Sequence, residues 1–171
     1  VWQTLTPDTF TSAAGAKLVR NDDLSLTASG PNPAKDDFII TVKTKLGGIT
    51  GFRLEALPDA TLVNSGPGRA DNGNFVLTEL HASVATKPLT LTAVRATTEQ
   101  TGFPIGNAVD RKNDTGWAIA GAFGQTQTAL FAVTPPLKLS APERCNCSTA
   151  SWFQWPGGRS QWSFDGRVRS H

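Results

Sequence analysis

The chain has 171 residues, 39% of them hydrophobic, and a formal net charge of +2, enough for one domain to bury a core without disulfide or metal staples. Its basic residues are scattered among acids rather than gathered into a stripe, which argues against nucleic acid as a partner. No apolar run approaches the roughly 18 residues of a membrane span, and the opening residues lack the charged and apolar regions of a signal peptide.

Sixteen Gly and 11 Pro interrupt a chain in which only 18% of residues are charged, a composition of short strands joined by turns. No window of the sequence carries an apolar stripe at helical spacing. In chain order, KLVRNDDLSLTASG (17–30) predicts two short strands around the Asn21-Asp22-Asp23 turn. DFIITVKTK (37–45) puts Phe38, Ile40 and Val42 on one face and Ile39, Thr41, Lys43 and Lys45 on the other, as in a sheet with one wet side. GFRLEAL (51–57) repeats the pattern, with Phe52, Leu54 and Ala56 opposite Arg53 and Glu55. NFVLTELHASV (74–84), PLTLTAV (88–94), GWAIAG (116–121) and TALFAV (128–133) complete the set of predicted strands. Strands at this spacing without intervening helices predict an all-β fold, an antiparallel β-sandwich of the jelly-roll kind, over residues 1–140.

Residues 141–171 differ in character. They hold three of the five Trp (Trp152, Trp155 and Trp162), both Cys and four Arg, and the alternation fades. This segment is either a closing strand or a tail foreign to the domain. Codons permitted for CNCSTASWF, read one nucleotide earlier, spell Leu-Gln-Leu-Gln-Tyr-Arg-Phe-Leu-Val, a strand pattern, so a shifted reading frame is one account. Cys145 and Cys147, one residue apart, are too few for a zinc site and poorly spaced for a bridge. The chain contains no Met, and the expectation is that it begins inside a longer precursor.

With the strands placed, GGITGFRLEALPD (47–59) followed by GPGRADNGNFVLTEL (66–80) resembles a β-sandwich module of large planctomycete surface proteins that carry cytochrome-c-like domains. The opening residues to Gly30, PAKDDFIITVKTK (33–45) and FPIGNAVDRKNDTGWAI (103–119) fit the same module, from about residue 2 to about 133. That module is similar in turn to galactose-binding-like domains, which include discoidin-type domains and many carbohydrate-binding modules. Their motif is echoed in Asn107-Ala108-Val109-Asp110-Arg111 and Thr115-Gly116-Trp117. Arg111 stands where those domains have Gly, and the acid that closes their calcium site has no clear counterpart in 141–171. The resemblance implies an extracytoplasmic, non-catalytic module that binds polysaccharide or oligosaccharide.

Two kinds of site follow. A hard cation such as Ca²⁺ takes about six to eight oxygen ligands, and Asp110, Asn113, Asp114 and Thr115 offer oxygens within six residues. The competing reading has these residues capping their own loop, with Arg111 and Lys112 opposing a cation. The acid pairs at 21–23 and 35–37 are weaker candidates. A sugar needs an aromatic face plus a few polar groups. Trp117, Phe123, Trp2, Trp152 and Trp155 are the candidate platforms, although the core is the simpler place for Trp117. Arg69, Asp71, Asn72 and Asn74 are the candidate polar contacts, against the simpler reading of an Asn-Gly turn on a hairpin rim.

Catalysis has a thin inventory. The only His are His81 and His171, and no nucleophile elbow, zinc helix or phosphate loop is present. A glycosidase carboxylate pair would have to be Glu55 and Glu79, expected on adjacent strands, where they sit closer than the roughly 5 Å of retaining enzymes or pair with Arg53. Arg53 and Glu55 are more simply a solvent-side ion pair. A structural or protein-interaction domain without a sugar site is the alternative to the glycan-binding reading, and a small glycoside hydrolase the third.

Overall fold

The computed structural model describes residues 2–44, 46 and 48–138 in full, and the backbone alone of 143–153 and 160–162. Within these residues the strands are β1 (Pro7–Ser12), β2 (Lys17–Arg20), β3 (Leu26–Ser29), β4 (Lys35–Thr44), β5 (Gly48–Ala56), β6 (Val76–Leu80), β7 (Ser83–Val84), β8 (Lys87–Pro88), β9 (Leu91–Ala96), β10 (Trp117–Ala118), β11 (Gln127–Lys138), β12 (Glu143–Phe153) and β13 (Ser160–Trp162). Short 3-10 turns at Val63–Ser65 and Ile105–Val109 are the only helical elements among them. No helix among the described residues is long and apolar enough to cross a membrane. The protein is all-β.

Every strand pairing is antiparallel, in three sheets. The largest runs β1-β4-β12-β6-β10, with β7 against β12 and β8 against β7. The others run β5-β11-β9 and β13-β3-β2. The alternation read from the sequence governs burial. Phe38, Ile40 and Val42 of β4 and Phe52, Leu54 and Ala56 of β5 are all buried, while Ile39 and Lys43 face water. On β4 the inward face continues into the polar residues Asp36 and Thr44. The two predicted strands around Asn21 are β2 and β3, and the Asn21 side chain braces their turn by donating to Ser25 Oγ and Thr27 Oγ1.

Two apolar clusters fill the space between sheets. The first joins Phe38, Leu77 and Trp117 of the large sheet to Leu54, Ala129 and Phe131 of the second. Phe75 meets Trp117 edge-on at a centroid distance of 5.0 Å, an arrangement worth about 0.5–1.5 kcal/mol beyond the area buried. The second cluster gathers Ile40 and Val42 with Ile49, Phe52 and Val133.

Two predicted strands are broken. Residues 88–94 divide because the chain changes sheets: β8 pairs with β7, the Leu89 amide donates to Ala82 O, and β9 then joins β11. Of 116–121 only Trp117 and Ala118 are strand. Beyond them the Ile119 and Ala120 amides donate to the side-chain oxygens of Asn74 and Gln100 instead of to a strand. Residues 143–153 supply a strand between β4 and β6, with Cys145 and Cys147 registered opposite Val42 and Ile40.

Candidate functional site

The loop before β6 is closed by its glycines. The Gly68 amide donates to Gly73 O and the Gly73 amide to Ala70 O, and a Cβ at Gly66, Gly68 or Gly73 would collide with backbone across the loop. Arg69 is 2% exposed, and its guanidinium donates to Gly30 O at 2.6 Å and Pro31 O at 3.0 Å. It fastens the 30–32 turn to this loop. Asn74, also buried, donates to Gln100 Oε1 at 2.9 Å and accepts from the Ile119 amide. Asn72 is exposed; its Oδ1 caps the Asn74 amide at 3.0 Å, and its Nδ2 meets no acceptor among the described residues.

The loop after the second 3-10 turn is equally self-contained. The Thr115 hydroxyl donates to the Asp110 carboxylate, with Oδ1 at 3.0 Å and Oδ2 at 2.9 Å, and the Lys112 amide donates to Oδ1 at 2.9 Å. Arg111 takes a left-handed conformation (φ 64°), and its amide donates to Glu79 Oε2 at 2.9 Å. Glu79 is 3% exposed on β6, and burial, reinforced by the nearby Asp110, raises its pKa against the lowering effect of the Arg111 amide and of His81. Gly116 passes so close to β6 that a Cβ there would lie 2.5 Å from Val76 Cγ1 and 2.8 Å from Leu77 O. Asn113 and Asp114 of the same loop are exposed, with no side-chain hydrogen bond to the described residues. Among the described residues no three His, Cys, Asp or Glu side chains converge on a point.

These two loops and the Gln100–Phe103 turn enclose a cleft of about 630 Å³, within the usual range for ligand sites. Phe75, Val76 and Phe103 supply apolar lining; Asn72, Gln100, Asn113, Asp114, Thr115 and Lys35 supply polar lining. The turn is held by the Phe103 amide donating to Gln100 O and the Gln100 amide donating to Ala118 O. Gln100 Oε1 is occupied by Asn74 and Ala120, while its Nε2 meets no acceptor among the described residues.

The sequence-predicted residues therefore divide. Asn72, Asn74, Asn113, Asp114 and Thr115, proposed for two different sites, line one cleft. Trp117 does not: it is fully buried, with its indole N–H donating to Thr98 O at 2.8 Å. Phe123 is half-buried against the first cluster, Trp2 is half-buried, and Asp71 is exposed away from the cleft lining. The backbone of Trp152 is registered with Asp36 and Leu77, and Trp155 lies outside the described residues. Gln100, Phe103 and Lys35 were missed. A Phe inside the Gly- and Pro-bounded turn QTGFP was the available signal for the first two. Glu55 and Glu79 are not on adjacent strands, since β5 and β6 belong to different sheets. Glu55 pairs with Arg53, and this pair is mostly buried rather than solvent-side, with side chains 13% and 18% exposed. No protein-family model, curated protein or solved structure matches the chain.

Proposed function

We propose that the protein is a galactose-binding-like jelly-roll β-sandwich that binds polysaccharide outside the cytoplasm, without catalysing its breakdown. The observation that supports this reading is the cleft, whose lining combines apolar residues, among them the aromatic ring of Phe103 at the turn, with amides and a hydroxyl. A pyranose offers that combination its C–H face and its hydroxyls. Gln100 Nε2 and Asn72 Nδ2 are the donors, and Asp114 and Thr115 the acceptors. Affinity for a short oligosaccharide is weak and rises for polymer through multivalency.

The test is electrophoretic retardation and calorimetry against a panel of neutral and charged polysaccharides, in Ca²⁺ and in chelator. Phe103→Ala is expected to weaken retention about tenfold, the order of a lost stacking face, while the protein still melts near the wild-type temperature. Undiminished binding by that variant, or no retention on any glycan, rejects the reading. The chelator arm asks whether the 110–115 loop carries a structural ion. A second reading, a structural or protein-interaction domain, is favoured by the tryptophans whose side chains are described: Trp117 is buried and Trp2 half-buried. Sugar release from the same panel would indicate the hydrolase instead.

A further inference from the structure

The cleft does not end at Asn113. A second hollow of about 340 Å³ adjoins it, and the two share Lys35, Thr78 and Asn113 as lining. Its far side is formed by Ala13, Ala14, Asp36 and Asp37. We propose that cleft and hollow are one groove holding an internal stretch of polysaccharide, with a hexosamine bearing a free, protonated amine in the hollow. This rests on the saccharide reading above and names the substrate class for it.

Continuity gives the length: a ligand confined to one ring has no use for a second hollow that opens across the same three residues. Charge gives the substituent. Charge is uneven: the described lining residues of the whole groove include three aspartates (Asp36, Asp37 and Asp114) and one lysine, Lys35, whose Nζ is 3.4 Å from Asn113 O. The Asp36 carboxylate, 7% exposed, is fixed in place: Ser12 Oγ donates to Oδ2 at 2.6 Å and the Ala14 amide to Oδ1 at 2.9 Å. Each carboxylate oxygen retains a further lone pair for an incoming donor. Such a lining disfavours uronates and sulfated sugars by like-charge repulsion, and accepts hydrogen bonds from a sugar ammonium.

Calorimetry with glucosamine oligomers, their N-acetylated equivalents and glucose oligomers, each as dimer and pentamer, tests this at slightly acid pH. The expected result is that the glucosamine pentamer binds about tenfold more tightly than the other pentamers at low salt, an advantage that shrinks in molar salt. Asp37→Asn should weaken the glucosamine pentamer about threefold and leave the glucose pentamer unchanged. Equal binding of amine, acetamide and glucose pentamers overturns the proposal, as does an equal effect of Asp37→Asn on all of them. If neutral oligomers bind through Phe103 with no preference for the amine, only this inference falls; if no oligomer binds at all, the saccharide reading falls with it.

Discussion

Glu79 sits where its residue type is seldom found, buried on β6 and receiving the amide of Arg111, a residue with left-handed backbone. Through that bond it sets the course of the loop that brings Asn113, Asp114 and Thr115 to the cleft. Burial favours the neutral acid, so the folded chain holds the proton more tightly than the unfolded chain does. The stability that Glu79 contributes is therefore full below its unfolded pKa and is lost as pH rises through the raised folded value. Asp23 acts in the opposite sense. The Ser25 hydroxyl and then the Ser25 amide hold its pKa down, so its contribution is present above the ordinary aspartate value and is lost on acidification. Glu79→Gln keeps an acceptor for the Arg111 amide but cannot ionise. Urea midpoints measured across pH should show the wild type losing stability relative to this variant as pH rises through the window, with the Asp23 effect cancelling between the two. Parallel curves would mean that the fold does not raise the Glu79 pKa.

At the level of elements, the cleft depends on backbone approaching backbone, and glycine is what permits it. A methyl at Gly68 would run into the carbonyl of Asn74, with no flexible side chain to give way. Gly68→Ala should cost about 1–3 kcal/mol or more and displace Asn72 from the cleft lining. Gly106, exposed in the 3-10 turn with nothing within 4 Å, is the control, and Gly106→Ala should leave stability and binding nearly unchanged. Equal melting of the two variants would refute the interlock. The same distinction explains what could be read beforehand. Alternation in 37–44 and 51–56 is a property of neighbouring residues, so those strands and their inward faces were legible. The short β10 was not, because its continuation hydrogen-bonds to Asn74 and Gln100 side chains that are distant in sequence. Nor was the role of Arg69: its Gly- and Asn-rich surroundings suggest a solvated turn, whereas it is buried and donates to Gly30 O and Pro31 O of a turn distant in sequence. The polar lining residues were legible as polar loops but not as one cleft, since Asn72 and Asn113 meet only through the fold.

Across the whole molecule, the two apolar clusters are not separable units, because the same strands contribute to both. β5 gives Ile49 and Phe52 to one and Leu54 and Ala56 to the other; β11 gives Val133 to one and Ala129 and Phe131 to the other; β4 divides between Phe38 on one side and Ile40 and Val42 on the other. Leu91 of β9 packs against both. Losing either cluster would pull these strands out of register with β11 and β5 and so expose its neighbour, which makes all-or-none unfolding the expectation for a domain of this size. Ile49→Ala and Leu54→Ala, one in each cluster and both fully or almost fully buried, should each cost about 2–5 kcal/mol. Scanning calorimetry of each should show a single endotherm moved down as a whole, with the calorimetric and van't Hoff enthalpies equal. Two endotherms, of which Ile49→Ala moves one and Leu54→Ala the other, would show instead that the cleft rests on the first cluster alone and that the second folds independently of it.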